Sequence, residues 1–516
     1  MNTQNEKQLT RGCGVLMPVS SLPSAYGIGT IGRAAYDFVD LLVDLKFRYW
    51  QILPIGPTSF GNSPYQALSA FAGNNYYIDL DELVNEGLLD IDEVRAVDWG
   101  SDERDVDYSS IYQNRNGVLK KAFKRFDREL VEYRIFKSDN RYWLDDYALF
   151  RALKDKHNGA PWIEWSREFR ERDELALNVA REELAEETEF YMFCQYTFNC
   201  QWQRLLTYAN TRGLLIIGDL PLYVAHDSAD VWAHREYFQL KADGKAKLVS
   251  AVPPDAFSST GQIWGNPVYD WDGIAGNDFE WWKERVSIAS RMFNVIRIDH
   301  FIGVVKYFAV NPNQTSSTSG RWYKGPGKKF IDIVIQSMGN AKIIIDDAGP
   351  KTVVPGVHKL VSKSGLPCCR IELLGLSAKN DSENLPHNFT DSNVVLYTTT
   401  HDTETLRGFI DSRSDEELAY VYDYLGVEDR SAGSSAGSNA GDDAAGRLAD
   451  EIIRSAYMSC ADVVIVPVQD LLGLGNEARI NAPATVYGNW QWRSGGDTLA
   501  PDRCEWIRKL AYTYRR

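Results

Sequence analysis

The sequence predicts a (β/α)8 barrel, and three features of the 516-residue chain favour this fold class. Short apolar runs that end in polar or charged residues recur along the chain, as is typical of parallel strands buried on both faces. Segments with helical periodicity, such as residues 34–45 and 357–364, lie between several of them. The glycine-rich loop of nucleotide-binding folds is missing, so a closed barrel is favoured over an open sheet. The predicted strands are residues 14–18, 49–53, 214–219, 295–299, 343–347, 369–373, 394–399 and 463–466.

Three segments are predicted to be insertions in a single catalytic barrel that spans residues 1–516. The segment after the second strand, residues 75–212, is too long for a loop, and helical patterns at 111–126, 142–154 and 181–208 make it mostly helical. An aromatic-rich loop insertion follows the third strand at residues 223–285. Residues 431–446 are a low-complexity tract that we expect to be a flexible surface segment.

Composition excludes several classes of function. The formal net charge of −15 opposes binding to nucleic acid and to anionic membranes, and no apolar run is long enough to span a bilayer. The seven cysteines and seven histidines lack the spacing of metal or redox sites. We therefore expect a cytoplasmic protein with free thiols, no metal and no cofactor.

Carboxylates stand at the ends of several predicted strands. They are Asp219, Asp299, Asp346 with Asp347, and Asp402 just past a strand end. Active groups of a barrel lie at the carboxyl ends of its strands, so these side chains are candidates for one site. The alternative for any single one of them is an aspartate that caps the following loop.

Converging carboxylates without a metal suit glycoside chemistry, in which one attacks the anomeric carbon and a second donates a proton. Arg297 projects to the same side of its strand as Asp299. A guanidinium there is expected to lower the pKa of Asp299 and keep it ionised, as a nucleophile requires. A purely structural Arg-Asp ion pair is the alternative.

Ordered motifs along nearly the whole chain resemble the amylomaltases, the 4-α-glucanotransferases of the α-amylase-like barrel superfamily. The resemblance rests on residues 50–74 (WQILPIGPTSFGNSPYQALSAFAGN), 218–232 (GDLPLYVAHDSADVW), 252–271 (VPPDAFSSTGQIWGNPVYDW), 297–301 (RIDHF), 320–327 (GRWYKGPG), 385–388 (LPHN), 400–402 (THD) and 469–493 (QDLLGLGNEARINAPATVYGNWQWR).

The resemblance implies a retaining double displacement that moves a segment of an α-1,4-glucan from one maltooligosaccharide to another. It implies that Asp299 is the nucleophile, Asp346 the acid/base and Asp402 a third carboxylate that holds sugar hydroxyls. The resemblance also implies a set of residues that bind the substrate: Tyr65, Tyr108, Asp219, Gln262, Trp264, Arg297, His300, His401 and Asn489.

The chain departs from the family at the acid/base. The family strand ends Ala-Glu-Asp-Leu-Gly, whereas residues 345–349 read Ile-Asp-Asp-Ala-Gly, and Ile302 stands where the family has arginine. The carboxyl of Asp346 is one methylene shorter than that of glutamate, which is about 1.5 Å of reach. Because misplacement by about 1 Å can cost on the order of 100-fold in rate, reduced activity is expected.

Two other functions remain open at the level of sequence. One is an α-1,4-glucan hydrolase that uses the same covalent intermediate, and the other is a weakly active barrel that binds maltooligosaccharides. For each of these functions the expected partners are maltooligosaccharides and α-1,4-glucans, and neither nucleic acid nor a membrane is expected. The protein is expected to be a monomer or a homodimer.

Overall fold

A closed parallel barrel forms the centre of the computed structural model, which describes residues 9–59, 61–254, 258–346, 355–377, 382–427 and 440–516. The described residues contain twelve strands: β1 Gly12–Leu16, β2 Tyr49–Gln51, β3 Leu215–Leu220, β4 Val249–Val252, β5 Gln262–Pro267, β6 Val295–Ile298, β7 Lys306–Val310, β8 Arg321–Lys324, β9 Lys342–Ile345, β10 Cys368–Ile371, β11 Val394–Tyr397 and β12 Val463–Pro467.

Eight of these strands close the barrel in the order β1-β12-β11-β10-β9-β6-β3-β2. Each corresponds to one of the eight predicted apolar runs, so the predicted (β/α)8 barrel is confirmed. Their side chains are buried on both faces because the inner face fills the barrel and the outer face packs against helices. Helices in the described residues outside the long insertion are Arg33–Asp44, Ala229–Ala233, Trp271–Gly276, Glu280–Met292, Ile302–Val305, Lys328–Ser337, Pro355–Ser364, Glu372–Ser377, Leu406–Asp411, Asp415–Leu425, Ala440–Met458, Val468–Leu472 and Pro501–Thr513.

The long segment between β2 and β3 is built from helices. They are Leu80–Asn85, Ile91–Arg95, Tyr108–Arg125, Val131–Asp139, Arg141–Lys156, Arg167–Arg170, Glu174–Glu183 and Ala185–Thr211. The pattern at residues 181–208 predicted one helix. In the structure this range is divided between the helix Glu174–Glu183 and the helix Ala185–Thr211. The longest of them, Ala185–Thr211, carries buried Phe190, Phe198 and Trp202 against the barrel and the other helices.

A second sheet, absent from the sequence-based prediction, lies beside the barrel. It is antiparallel with the order β5-β4-β7-β8, so it joins the aromatic-rich insertion at residues 223–285 to the segment that follows β6. That insertion therefore contains paired strands and two short helices in addition to loops. Residues 431–439 of the low-complexity tract lie outside the described residues, and the helix Ala440–Met458 begins within that tract. No helix in the described ranges is long and apolar enough to cross a membrane.

Candidate active site

Three carboxylates meet at the carboxyl ends of neighbouring barrel strands, and a fourth, Asp402, lies in the segment after β11. Asp219 lies in β3, Asp299 follows β6 and Asp346 follows β9, and these three strands are neighbours in the barrel. The register of β3 and β6 sets Asp219 directly opposite Arg297. Because parallel strands end at the same rim of the barrel, the acidic residues at the ends of these strands lie close together.

The guanidinium of Arg297 holds three of the carboxylates together. Its Nη1 lies 2.5 Å from Asp219 Oδ2 and 3.2 Å from Asp299 Oδ1, and its Nη2 lies 2.6 Å from Asp346 Oδ1. The side chain of Asp219 has no exposed surface, while those of Asp299 and Asp346 expose 25% and 19%. The sequence predicted that Asp219 binds the sugar; its side chain is buried, whereas those of Asp299 and Asp346 are partly exposed.

The charge balance around Arg297 determines the protonation of Asp299. Burial raises the pKa of Asp299 well above its ordinary value, Arg297 opposes the rise, and the negative charges of Asp219 and Asp346 add to it. Arg297 therefore acts in the predicted direction on the pKa of Asp299, but burial and the two neighbouring carboxylates outweigh it. One positive charge is shared by three carboxylates, so it cannot neutralise them all.

Both carboxyl oxygens of Asp346 accept hydrogen bonds. Oδ1 accepts from Arg297 and Oδ2 accepts from the backbone N–H of His300 at 3.1 Å. His300 has a left-handed backbone with φ of 50°, which turns its N–H toward β9. Asp346 is thus held by two donors at the edge of the site, and its neighbours Asp347 and Ala348 lie outside the described residues.

Asp402 forms a separate charged pair with His401. His401 Nε2 lies 3.3 Å from Asp402 Oδ2, and Asn481 Nδ2 donates to Asp402 Oδ1 at 2.6 Å. Burial alone would raise the pKa of Asp402, but His401 and the hydrogen bond from Asn481 outweigh it and lower the pKa to about 2. The pKa of His401 is raised, because Asp402 outweighs the effect of burial on the imidazole. Asp402 is therefore an ionised acceptor that exposes 44% of its side chain.

Aromatic rings line one side of the carboxylates. The ring of Tyr65 stacks on His401 with centroids 5.3 Å apart, and its hydroxyl donates to Asp219 Oδ2 at 2.7 Å. Trp490 tilts against Tyr65 with centroids 5.8 Å apart. The hydroxyl of Tyr108 donates to the carbonyl of Trp490 at 2.9 Å, which ties the helical insertion to this wall.

A second wall faces the segment after β6. The indole of Trp264 meets the ring of His300 edge to face with centroids 4.6 Å apart. Its Nε1 donates to Gln262 Oε1 at 3.2 Å, and Gln66 Nε2 donates to its carbonyl at 3.1 Å. Burial lowers the pKa of His300 to about 4, so this imidazole is neutral at pH 7. Flat apolar faces and fixed polar groups of this kind suit sugar rings.

Asn489, which was predicted to bind substrate, lies in the loop between Asn481 and Trp490. Its side chain accepts the N–H of Ala482 at 2.9 Å and donates to the carbonyl of Thr485 at 3.2 Å, both within its own loop. Asn481 and Trp490 of the same loop contact the site, and the sequence-based prediction missed both. They lie within the quoted motif 469–493, but neither residue type marks which end of a loop turns inward. No cluster of metal-ligating side chains occurs in the described ranges.

Comparisons with known proteins show the family of the chain. A family model described as 4-alpha-glucanotransferase matches residues 17–497. The chain is 39% identical to the 4-alpha-glucanotransferase of Streptococcus pneumoniae serotype 4, covering 98% of this chain and 97% of the relative. It is 38% identical to the 4-alpha-glucanotransferase of Thermus thermophilus, covering 99% of this chain and 100% of the relative.

Solved structures give the same result. The amylomaltase from Streptococcus agalactiae in complex with acarbose matches with a TM-score of 0.90 at 35% identity, covering 98% of this chain and 99% of that chain. The amylomaltase from Corynebacterium glutamicum shares the fold with a TM-score of 0.77 at 18% identity, covering 98% of this chain and 75% of that chain. The resemblance drawn from the motifs is confirmed, and the chain belongs to the 4-alpha-glucanotransferase family.

Proposed function

We propose that this protein transfers segments of α-1,4-glucans between maltooligosaccharides by a retaining double displacement. The observation that carries the proposal is that Asp299 and Asp346 both contact the guanidinium of Arg297 at the barrel rim. The model of the 4-alpha-glucanotransferase family matches almost the whole chain. A retaining mechanism requires two neighbouring carboxyl groups that flank the scissile bond, about 5 to 5.5 Å apart.

In the first step a carboxylate oxygen of Asp299 attacks the anomeric carbon of a bound glucose unit. The bond to the leaving oxygen breaks, and Asp346 gives its proton to that oxygen, so a shorter glucan departs. In the second step Asp346 takes the proton of an acceptor hydroxyl, whose oxygen attacks the same carbon and releases Asp299. Each step inverts the anomeric carbon, so the α configuration is retained.

The surrounding residues bind the sugar in this proposal. Asp402 is ionised and half open, so it accepts hydrogen bonds from sugar hydroxyls. Tyr65, Trp264 and His300 offer ring faces and edges to the sugar. The buried Asp219 orients Arg297 and Tyr65 instead of touching the substrate.

Incubation with maltotriose tests the proposal. Transfer produces glucose together with a ladder of longer oligosaccharides, whereas hydrolysis produces only shorter sugars. The Asp299→Asn variant keeps the shape of the side chain but cannot form the glycosyl ester, so it is expected to lose at least about 1,000-fold in rate. A variant with unchanged transfer, or a wild type that yields only glucose and maltose, would overturn the proposal.

We also propose that the protein acts in the cytoplasm as a monomer or a homodimer. No disulfide forms among the described residues, which include all seven cysteines, and this suits a reducing compartment. Sedimentation of the purified protein tests the oligomeric state, and a mass above that of two chains would contradict it.

A further inference from the structure

The loop at residues 481–490 is fixed to the active site at both ends. At its start Asn481 donates to Asp402, and its own N–H donates to the carbonyl of His401 at 3.0 Å. At its end the ring of Trp490 lies 6.0 Å from that of His401 and 5.8 Å from that of Tyr65. The middle of the loop is therefore held beside the groove and cannot swing far from it.

Two large apolar side chains at the tip of this loop face solvent. Tyr487 exposes 90% of its surface and Val486 exposes 78%, which makes Tyr487 the most exposed large hydrophobic residue in the described ranges. Exposing such side chains gains no burial energy, and a tyrosine ring next to a carbohydrate site is a ready stacking surface.

The loop has a defined shape that presents the ring. Asn489 bridges the loop through Ala482 and Thr485. Ala484 and Gly488 have left-handed backbones with φ of 66° and 76°, so the chain reverses direction on either side of the tip. These contacts restrict the tip to a few positions before any ligand binds, which lowers the entropy cost of binding there.

The position of the tip determines which part of the glucan it meets. Two residues lie between Tyr487 and Trp490, so three Cα–Cα steps join them and their Cα atoms are at most about 11 Å apart. The loop contacts Asp402, His401 and Tyr65, which surround the glucose unit that becomes attached to Asp299 in the proposed reaction. The tip therefore lies within about 11 Å of Trp490, where glucose units beyond the one attached to Asp299 can meet it.

We propose that Tyr487 is an aromatic platform that binds a distal glucose unit of a bound α-1,4-glucan and so favours longer chains as substrates. The inference rests on the proposed transferase function and adds a determinant of donor length to it. The ring stacks on the face of a sugar, Val486 extends the apolar contact, and no proton or bond is transferred at this position.

The test compares short and long donors. The variants are Tyr487→Ala, Tyr487→Phe and, as a control, Tyr512→Ala, a tyrosine that is 87% exposed on the C-terminal helix Pro501–Thr513. For Tyr487→Ala we expect the KM for maltoheptaose to rise about threefold to tenfold, with less than about a twofold change for maltotriose. Tyr487→Phe keeps the ring and should retain the wild-type KM for maltoheptaose, and Tyr512→Ala should change neither KM.

Equal effects of Tyr487→Ala on both donors, or no effect on either, would overturn the platform. Equilibrium binding separates this inference from the proposed function. Calorimetry with maltoheptaose is repeated in the Asp299→Asn background, where turnover is blocked, with and without Tyr487→Ala. A loss of affinity of about threefold or more supports the platform even if the wild type shows no transfer, and an unchanged affinity overturns it.

Discussion

Asp346 is the residue whose chemistry is most constrained by its neighbours. Its two oxygens accept hydrogen bonds from Arg297 and from the N–H of His300. To protonate a leaving oxygen the carboxyl must also reach into the groove, and an aspartate is about 1.5 Å shorter than a glutamate. The rate of the first step should therefore be limited by the reach of this side chain.

Lengthening that side chain is expected to raise the rate. For Asp346→Glu we expect the transglycosylation rate to increase by about tenfold or more, because an error of about 1 Å in position costs on the order of 100-fold. Asp346→Asn keeps the length but has no proton to give, so it should lose about 100-fold to 10,000-fold. Initial rates with maltotriose measure both. A flat or lower rate for Asp346→Glu would mean that the site is built around the shorter acid.

The pH dependence of the reaction reports on Asp299. The nucleophile must be ionised, so kcat/KM is present above its pKa and is lost as the pH falls through that value. Because burial and neighbouring carboxylates raise the pKa of Asp299, the acid limb of the profile should lie above the ordinary range of an aspartate. Asp219→Asn removes one of the neighbouring negative charges, so it should move the limb to lower pH. A limb that stays in place would show that Asp219 does not influence Asp299.

At the scale of elements, two buried glutamines connect the long helix Ala185–Thr211 to the segment after β2. Gln195 accepts the N–H of Gly73 and donates to its carbonyl, each at 2.8 Å. Gln201 makes the same pair of bonds with Asp79, at 2.7 Å and 3.1 Å. Each side-chain amide thus satisfies a buried N–H and a buried C=O that have left regular secondary structure. The segment between them connects the Tyr65 region to the insertion.

Replacing one of these amides should destabilise the protein. Gln201→Leu leaves the backbone groups of Asp79 buried without their partner, at a cost of about 1 to 3 kcal/mol for each such group. Thr207→Ala, an exposed position on the same helix, should stay within about 0.5 kcal/mol of the wild type. Unfolding in urea measures both. Equal stabilities of the two variants would contradict the role assigned to Gln201.

The elements that could be predicted are those whose signal is local. Each barrel strand is a continuous apolar run because it is buried on both faces, so all eight were recognised, and the carboxylates at their ends followed from the fold. The second sheet was missed because β5 contains Gly265 and Pro267 and has a mostly half-exposed pattern. Its neighbour β4 also pairs with β7, where Val249 lies opposite Val310, and this contact joins distant parts of the chain. The break at Leu184 carries no glycine or proline to mark it.

At the scale of the whole molecule, the site combines parts that come from distant segments of the chain. The barrel supplies the carboxylates, the insertion after β2 supplies Tyr108, and the last loop supplies Asn481 and Trp490. The sequence indicated that Arg297 would lower the pKa of Asp299, but it did not show how many acidic groups share that arginine. The raised pKa of Asp299 depends first on burial and then on the negative charges of Asp219 and Asp346, and neither cause is visible along the chain.

One buried acid outside the site should make the stability of the whole protein depend on pH. Glu372, at the start of the helix after β10, is completely buried, and burial raises its pKa to about 8, with the Ser455 hydroxyl offsetting part of the rise. The folded state therefore holds a proton that the unfolded chain releases above about pH 4.3. The contribution of this protonated carboxyl to stability is fully present below that pH and is lost as the pH rises toward about 8. The loss lowers the free energy of unfolding by a few kcal/mol.

The Glu372→Gln variant tests this dependence, because the amide fits the same space and does not ionise. Between pH 5 and pH 8 the wild type should lose a few kcal/mol of unfolding free energy relative to this variant. Glu505→Gln, at an exposed position of the C-terminal helix, should follow the wild type. Urea unfolding at the two pH values measures the differences. If the wild type and Glu372→Gln change in parallel, then Glu372 is ionised in the folded protein at pH 8 without penalty, and the cost assigned to its burial is wrong.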